Sequence, residues 1–256
     1  IWSSPRPRRC CRWAGSLPTR CRPLAPSSIM SWGCPPSARN MPLSDARSRM
    51  VARAAREIEP GMVVNLGIGL PTQVVDHLPG DFPVCLHTEN GLSGIGPTLP
   101  PEAADRNLID AGGAYVSTIP GSAFFDSAVS FALVRSGRLD LTMLGAFEVA
   151  QTGDLANWKI PGRFSPGAGG GIELAQKARR VVVLTSHTDR AGNPKLRAAC
   201  SLPVTARGCV ARVFTDMAVI DLGPDGFTLR ELAEGVGLAE VTEATGAPLI
   251  CPEGDI

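Results

Sequence analysis

The sequence predicts an α/β fold, an open and mostly parallel sheet flanked by helices. Two observations carry this. Short unbroken apolar runs, such as Val181-Val182-Val183-Leu184, alternate with segments of helical periodicity. Glycine clusters follow several of those runs, at Gly67/Gly69, Gly91/Gly94/Gly96 and Gly167/Gly169/Gly170/Gly171. In an open α/β sheet, ligands bind beyond the carboxyl ends of the strands, where such glycines let other groups approach the backbone.

The elements follow in order. Ser44 suits the cap of a helix whose apolar face is Met50, Val51, Ala54, Ala55 and Ile58, and Pro60-Gly61 ends it. Residues 62–66 form a short apolar strand. Pro71 opens a helix reaching about Leu78. The next strand reaches Glu89, and residues 91–97 form a glycine-punctuated loop. Residues 115–118 read as a strand, 124–134 as a helix and 139–144 as a buried strand. A helix over 172–178 leads into a strand over 180–185. Residues 210–214 and 217–222 are strands, and Gly223-Pro224-Asp225-Gly226 turns the chain into a strand over 227–229. Thr228 and Glu231 form a capping-box pattern for a helix around 232–236. Gly237 precedes a last short helix over 239–244. No internal repeat or linker interrupts this run, so residues 44–256 read as one domain.

Residues 1–43 differ. The first 40 hold seven Arg and seven Pro but no Asp, Glu or Lys, together with four of the eight cysteines. Without hydrophobic periodicity this is a disordered basic extension, arising from translated upstream sequence ahead of Met41 or from a transit peptide. Setting those seven Arg aside leaves 18 basic against 24 acidic residues, a mildly acidic domain unsuited to nucleic acid. No apolar run approaches the roughly 20 residues of a spanning helix, so no membrane segment is expected. Cys85, Cys200, Cys209 and Cys251 form no zinc spacing and read as buried free thiols of a cytoplasmic protein. His77, His87 and His187 make no metal-like pair, so no metal is expected.

The glycine groups exclude two cofactors. Gly67-x-Gly69-x-x-Thr72 lacks the third glycine of a dinucleotide fingerprint, and no P-loop pattern occurs. Glu89 stands at a strand end before Asn90-Gly91, where a carboxylate is accessible, directed and partly desolvated, as a nucleophile requires. A solvent-facing Glu beside a turn is the bland alternative. Gly167 to Gly171 opens a helix, and its N–H groups suit an oxyanion as well as a tight turn.

The segments Gly61-Met62-Val63-Val64-Asn65-Leu66-Gly67-Ile68-Gly69-Leu70-Pro71-Thr72, Thr88-Glu89-Asn90-Gly91, Gly145-Ala146-Phe147, Gly153-Asp154-Leu155-Ala156-Asn157-Trp158 and Pro166-Gly167-Ala168-Gly169-Gly170-Gly171 occur in this order. Together they resemble the B (beta) chain type of the family I coenzyme A transferases, the 3-oxoacid and 3-oxoadipate group, over about residues 44–248. The resemblance implies the coenzyme A transferase architecture, similar to that of phosphosugar isomerases. It implies transfer of CoA from succinyl-CoA to a 3-oxoacid such as acetoacetate through a glutamyl–CoA thioester, as in ketone-body metabolism. Glu89 matches the catalytic glutamate, and Gly170 matches the position whose amide faces the reacting carbonyl. The resemblance implies Asn90, Gly91 and Gly169 as CoA-binding positions; Asn90, Asn157 and Trp158 match recurring motif positions, where packing and loop hydrogen bonds are as good a reading as substrate contact. CoA is a substrate, and no further cofactor is implied.

The family's A subunit carries a separate glycine-rich motif absent from this chain, which implies an A2B2 heterotetramer. Two departures stand out. Gly113 replaces a Lys usual after the family's Asn-Ala-Gly, which removes a cation near CoA or a dicarboxylic substrate, and Glu148 stands where Gln is common. Alternatives remain: 3-oxoadipate as acceptor, an inactive supporting subunit, or an effector-binding module of the same fold.

Overall fold

The computed structural model describes residues 45–165 and 167–252. The predicted extension over 1–43 and the Ser44 cap lie outside them. The first helix, α1 (Asp45–Ala55), precedes β1 (Val63–Leu66), a 3₁₀ helix (Leu70–His77), β2 (Cys85–Thr88), β3 (Leu92–Thr98) and β4 (Val116–Phe124). Then come α2 (Ser127–Arg135), β5 (Leu141–Leu144), β6 (Glu148–Ala150), β7 (Leu155–Ala156), α3 (Gly171–Lys177) and β8 (Arg180–Leu184). The chain continues through β9 (Leu196–Arg197), β10 (Val210–Phe214), β11 (Ala218–Gly223), β12 (Gly226–Leu232), α4 (Leu238–Ala244) and β13 (Leu249–Ile250).

Ten strands form one sheet in the order β13-β12-β11-β10-β8-β5-β1-β2-β3-β4. Its centre, from β10 through β8, β5 and β1 to β2, is parallel, while β3–β4 and β11–β12 add antiparallel flanks. A small second sheet holds β7, β6 and β9.

The unbroken apolar strands need cover on both faces because successive side chains point to opposite sides. Along β8, Val182 and Leu184 join a core with Met50, Val51, Ala54 and Ala55 of α1. Val181 and Val183 join the other core, with Val134 of α2, Leu174 of α3, Val241 of α4 and Val149 of the small sheet.

Four readings of the sequence need correction. The loop expected over 91–97 is mostly strand, β3, which runs over Leu92–Thr98. Its glycines disguised it, yet they serve strand packing: a Cβ at Gly94 would lie 2.7 Å from the Ser122 hydroxyl, and one at Gly96 would lie 2.6 Å from that of Ser117. The strand expected over 115–118 runs on to Phe124, and α2 starts only at Ser127, because Asp126 caps it by accepting from the Val129 N–H at 2.8 Å. The Pro71 helix is 3₁₀ rather than α. The Thr228/Glu231 capping box caps nothing: both lie in β12, where Glu231 binds Arg53 of α1, Nε to Oε2 at 2.7 Å. Cross-strand pairing and an ion pair overrode a local motif. The expected Gly223–Gly226 turn closes the β11–β12 hairpin.

Candidate active site

The carboxyl ends of four adjacent parallel strands open on one cleft of about 600 Å³. Gly67 and Ile68 enter it after β1, Glu89 after β2, Gly145 and Phe147 after β5, and Thr185 and Ser186 after β8. Residues 167–171, Arg47 and Lys195 also line it.

Glu89 is half-buried, and its direction is set from the neighbouring strand. Asn65 in β1, 1% exposed, lies between His87 and Thr142 in the parallel register. Its Nδ2 donates to His87 O at 3.1 Å and to Glu89 Oε2 at 3.2 Å, while its Oδ1 accepts from the Thr142 hydroxyl at 3.4 Å. Among the described residues the other Glu89 oxygen has no hydrogen-bond partner. One carboxylate oxygen is therefore anchored and the other is free, within the cleft.

Gly170 stands directly against this carboxylate. Its φ of −75° suits any residue, so conformation does not explain the glycine. Space does: a Cβ there would lie 3.1 Å from Glu89 Cγ and 3.2 Å from the Phe131 ring.

The expected site residues divide. Glu89, Gly169 and Gly170 line the cleft, but Asn90 and Gly91 do not. Asn90 is tied to protein, its Oδ1 to the Thr88 hydroxyl and its Nδ2 to Ile109 O at 2.9 Å. Gly91 makes the β2–β3 turn at φ +116°, where a Cβ would meet Phe125 O at 2.0 Å. Asn157 lines the cleft, but its amide serves Gly145 O at 3.1 Å and the Thr205 hydroxyl at 2.7 Å.

Sequence reasoning passed over Asn65 and Lys195. Asn65 left a signal, a lone amide inside an apolar strand. Lys195 left none, being one Lys in a polar loop. Its backbone is clamped, N–H to His187 O at 3.0 Å and C=O from the Val149 N–H at 2.8 Å. Its ammonium donates to the Thr185 hydroxyl at 3.1 Å and the Ser186 hydroxyl at 2.8 Å. Burial lowers its pKa, with Arg47 adding to this and Asp216 and Asp189 opposing it.

The structure accounts for Glu148. Its carboxylate accepts from Arg197 Nη1 at 2.7 Å, the Ser201 N–H and hydroxyl at 2.6 Å each and the Leu202 N–H at 2.9 Å. Burial raises its pKa, but those donors outweigh burial and hold it below the usual carboxylate range. Of the thiols expected to be buried, Cys85, Cys200 and Cys209 are half-buried and Cys251 is exposed; all four are free. Among the described residues no helix is long and apolar enough to cross a membrane.

The family model for coenzyme A transferase matches residues 47–244. The beta chain of a probable coenzyme A transferase of Bacillus subtilis is 47% identical over 203 residues, covering 79% of this chain and 94% of that protein. The B chain of the Helicobacter pylori succinyl-CoA:3-ketoacid coenzyme A transferase is 44% identical, over 78% of this chain and 97% of its own length. The B chain of the Pseudomonas putida 3-oxoadipate CoA-transferase is 43% identical, over 80% and 96%. Among solved structures, the acyl-CoA transferase apoenzyme of Escherichia coli O157:H7 shares the fold, with a TM-score of 0.66 and 23% identity over 84% of this chain and 43% of that longer chain.

Proposed function

Because the chain belongs to the coenzyme A transferase family, we propose that it is the glutamate-bearing B-type member of a heteromer that moves CoA from succinyl-CoA to a 3-oxoacid. One observation carries this reading. A carboxylate fixed at one oxygen and free at the other projects into a cleft at the ends of parallel strands, with a glycine segment pressed against it.

The free Glu89 oxygen attacks the donor thioester carbonyl. The C–S bond breaks, the CoA thiolate leaves, and a mixed anhydride remains. The thiolate then attacks the glutamyl carbonyl, and the anhydride C–O bond breaks. The donor acid departs as its carboxylate, leaving a glutamyl–CoA thioester. An acceptor carboxylate runs the same steps in reverse, so the energy of the thioester is kept as long as water is excluded. Asn65 keeps Glu89 pointed at the thioester, and the Gly170 amide faces the oxyanion that forms at the attacked carbonyl.

The Helicobacter pylori and Pseudomonas putida relatives are named for different acids, both of them 3-oxoacids. That common chemistry supports the acceptor class. Their designation as B-type chains supports a partner A subunit, for which A2B2 is the proposed arrangement, and the free thiols suit a cytoplasmic setting. Steady-state kinetics of the chain assembled with a cognate A subunit test the reading. Double displacement gives parallel lines in double-reciprocal plots against succinyl-CoA and acetoacetate. Intersecting lines, or full turnover by the isolated chain, count against it.

A further inference from the structure

The cleft that holds Glu89 also holds an ammonium with an unused hydrogen. Lys195 has three N–H bonds to give. Two go to the hydroxyls of Thr185, at 3.1 Å, and Ser186, at 2.8 Å. Those hydroxyls spend their own hydrogens elsewhere, Thr185 on Ala146 O at 2.9 Å and Ser186 on Thr188 O at 2.8 Å. Both oxygens are thus fixed as acceptors, and they hold the lysine in place. The third N–H has no acceptor among the described residues.

The charge is also unpaired. Among the described residues no carboxylate lies within ion-pair distance of Lys195. Of the neighbouring acids, Asp216 accepts the His187 N–H at 2.8 Å. Asp189 takes the Ala191 N–H at 2.8 Å and the Asn193 N–H at 2.9 Å. Arg47, on the same cleft, adds a second positive charge. A half-buried cation held by neutral hydroxyls, with a donor to spare, is built for an anion from outside.

The geometry points to Lys195 as the group that binds the free carboxylate of a dicarboxylic substrate, the end of succinyl-CoA or succinate that never reacts. This rests on the transferase reading of the cleft and names the substrate chemistry that the cleft selects. The alternative, pairing with the reacting carboxylate, is disfavoured by the chemistry. That carboxylate must attack carbonyl carbon and become neutral in the anhydride, and an ammonium clamped to it would withdraw its nucleophilic electrons. The distal carboxylate keeps its full charge through every step, so a fixed cation stabilises ground states and transition states alike and sets selectivity. It also offsets the repulsion between a dianionic acid and Glu89. Ile68, Leu70, Pro71, Leu144 and Leu174 line the same cleft and offer apolar surface to a short aliphatic chain.

Succinyl-CoA and butyryl-CoA test this, because they match in carbon count and differ in the second carboxylate. In the chain assembled with its A subunit, the ratio of kcat/KM for succinyl-CoA over butyryl-CoA is measured for wild type, Lys195→Met, Lys195→Gln and Lys195→Arg. Loss of a hydrogen bond to a charged group lowers that ratio by roughly 10- to 100-fold in the Met and Gln variants. Arg restores part of it. Calorimetry with succinate and with butyrate supplies a readout that needs no turnover: wild type prefers succinate, and Lys195→Met loses the preference. An unchanged ratio in folded Met and Gln variants, or equal binding of both acids by wild type, overturns the inference. If the wild-type complex transfers no CoA but binds succinate through Lys195, the transferase reading fails and the subsite stands. If transfer is normal and the ratio does not move, the reverse holds.

Discussion

The amide of Asn65 reaches across from β1 to hold Glu89 Oε2 at 3.2 Å while also donating to His87 O at 3.1 Å. One side chain thus ties the Glu89 carboxylate to the strand that carries it. Asn65→Ala removes both bonds. It should slow single-turnover CoA loading on the order of 10- to 100-fold, since misdirection of a reacting group by about 1 Å costs that much. Losing a buried bond to His87 O costs about 1–3 kcal/mol of stability. Asn65→Asp should be worse for loading, because it sets a second carboxylate beside Glu89. Rapid-quench loading and urea melts separate the two effects, and loading at wild-type speed in Asn65→Ala refutes the positioning role.

Gly170 and Gly169 should respond oppositely to alanine. Gly170 already has φ −75°, but its Cβ would press on Glu89 Cγ at 3.1 Å and on the Phe131 ring. Gly170→Ala should lower kcat by roughly 10- to 100-fold with a small change in melting temperature. Gly169 has φ +51° and open space at its Cβ. There alanine costs about 1 kcal/mol of backbone strain and should spare kcat more. The same loss of kcat in both variants argues against contact with Glu89 as the cause.

His187 makes folding stability depend on pH. It is fully buried between the hydroxyls of Thr215, at 3.0 Å, and Thr245, at 2.9 Å. Burial pulls its pKa down to about 4, with Asp216 opposing. The unfolded chain, with an ordinary His pKa near 6.5, takes up the proton first. Stability from this group is complete above pH ~6.5 and falls as the pH drops towards ~4, by roughly 2 kcal/mol between pH 7 and 5. His87, whose pKa burial also lowers, adds to the same trend. Urea midpoints should decline over this range, and less so in His187→Gln. A flat profile in wild type contradicts the assignment.

The legible parts of the fold were those with a strong period. The Val-rich strand β8 and the apolar face of α1 announce themselves, because burial on one or both faces demands their patterns. Strand β3 did not, since Gly94 and Gly96 are there to admit Ser122 and Ser117 and leave no apolar alternation. Strand β12 carried a capping box because Glu231 is needed by Arg53, a partner 178 residues away. The site divides likewise. Glu89 and Gly170 were visible as motif residues. Asn65 and Lys195 act through tertiary hydrogen bonds to the ends of other strands, and no local spacing encodes those. Asn90 sits beside Glu89 in sequence yet turns away to Ile109 O.

The central claim is that the Glu89 carboxylate is the nucleophile, and CoA loading tests it most directly. The assembled enzyme is incubated with acyl-CoA and no acceptor, treated with hydroxylamine or borohydride, digested and mapped by mass spectrometry. The account predicts a hydroxamate or a reduced side chain on the peptide containing Thr88-Glu89-Asn90, absent in a folded Glu89→Gln enzyme whose turnover falls by several orders of magnitude. A Glu89→Gln enzyme, free of wild-type protein and of deamidation, that still loads CoA and turns over at near-normal rate would contradict it.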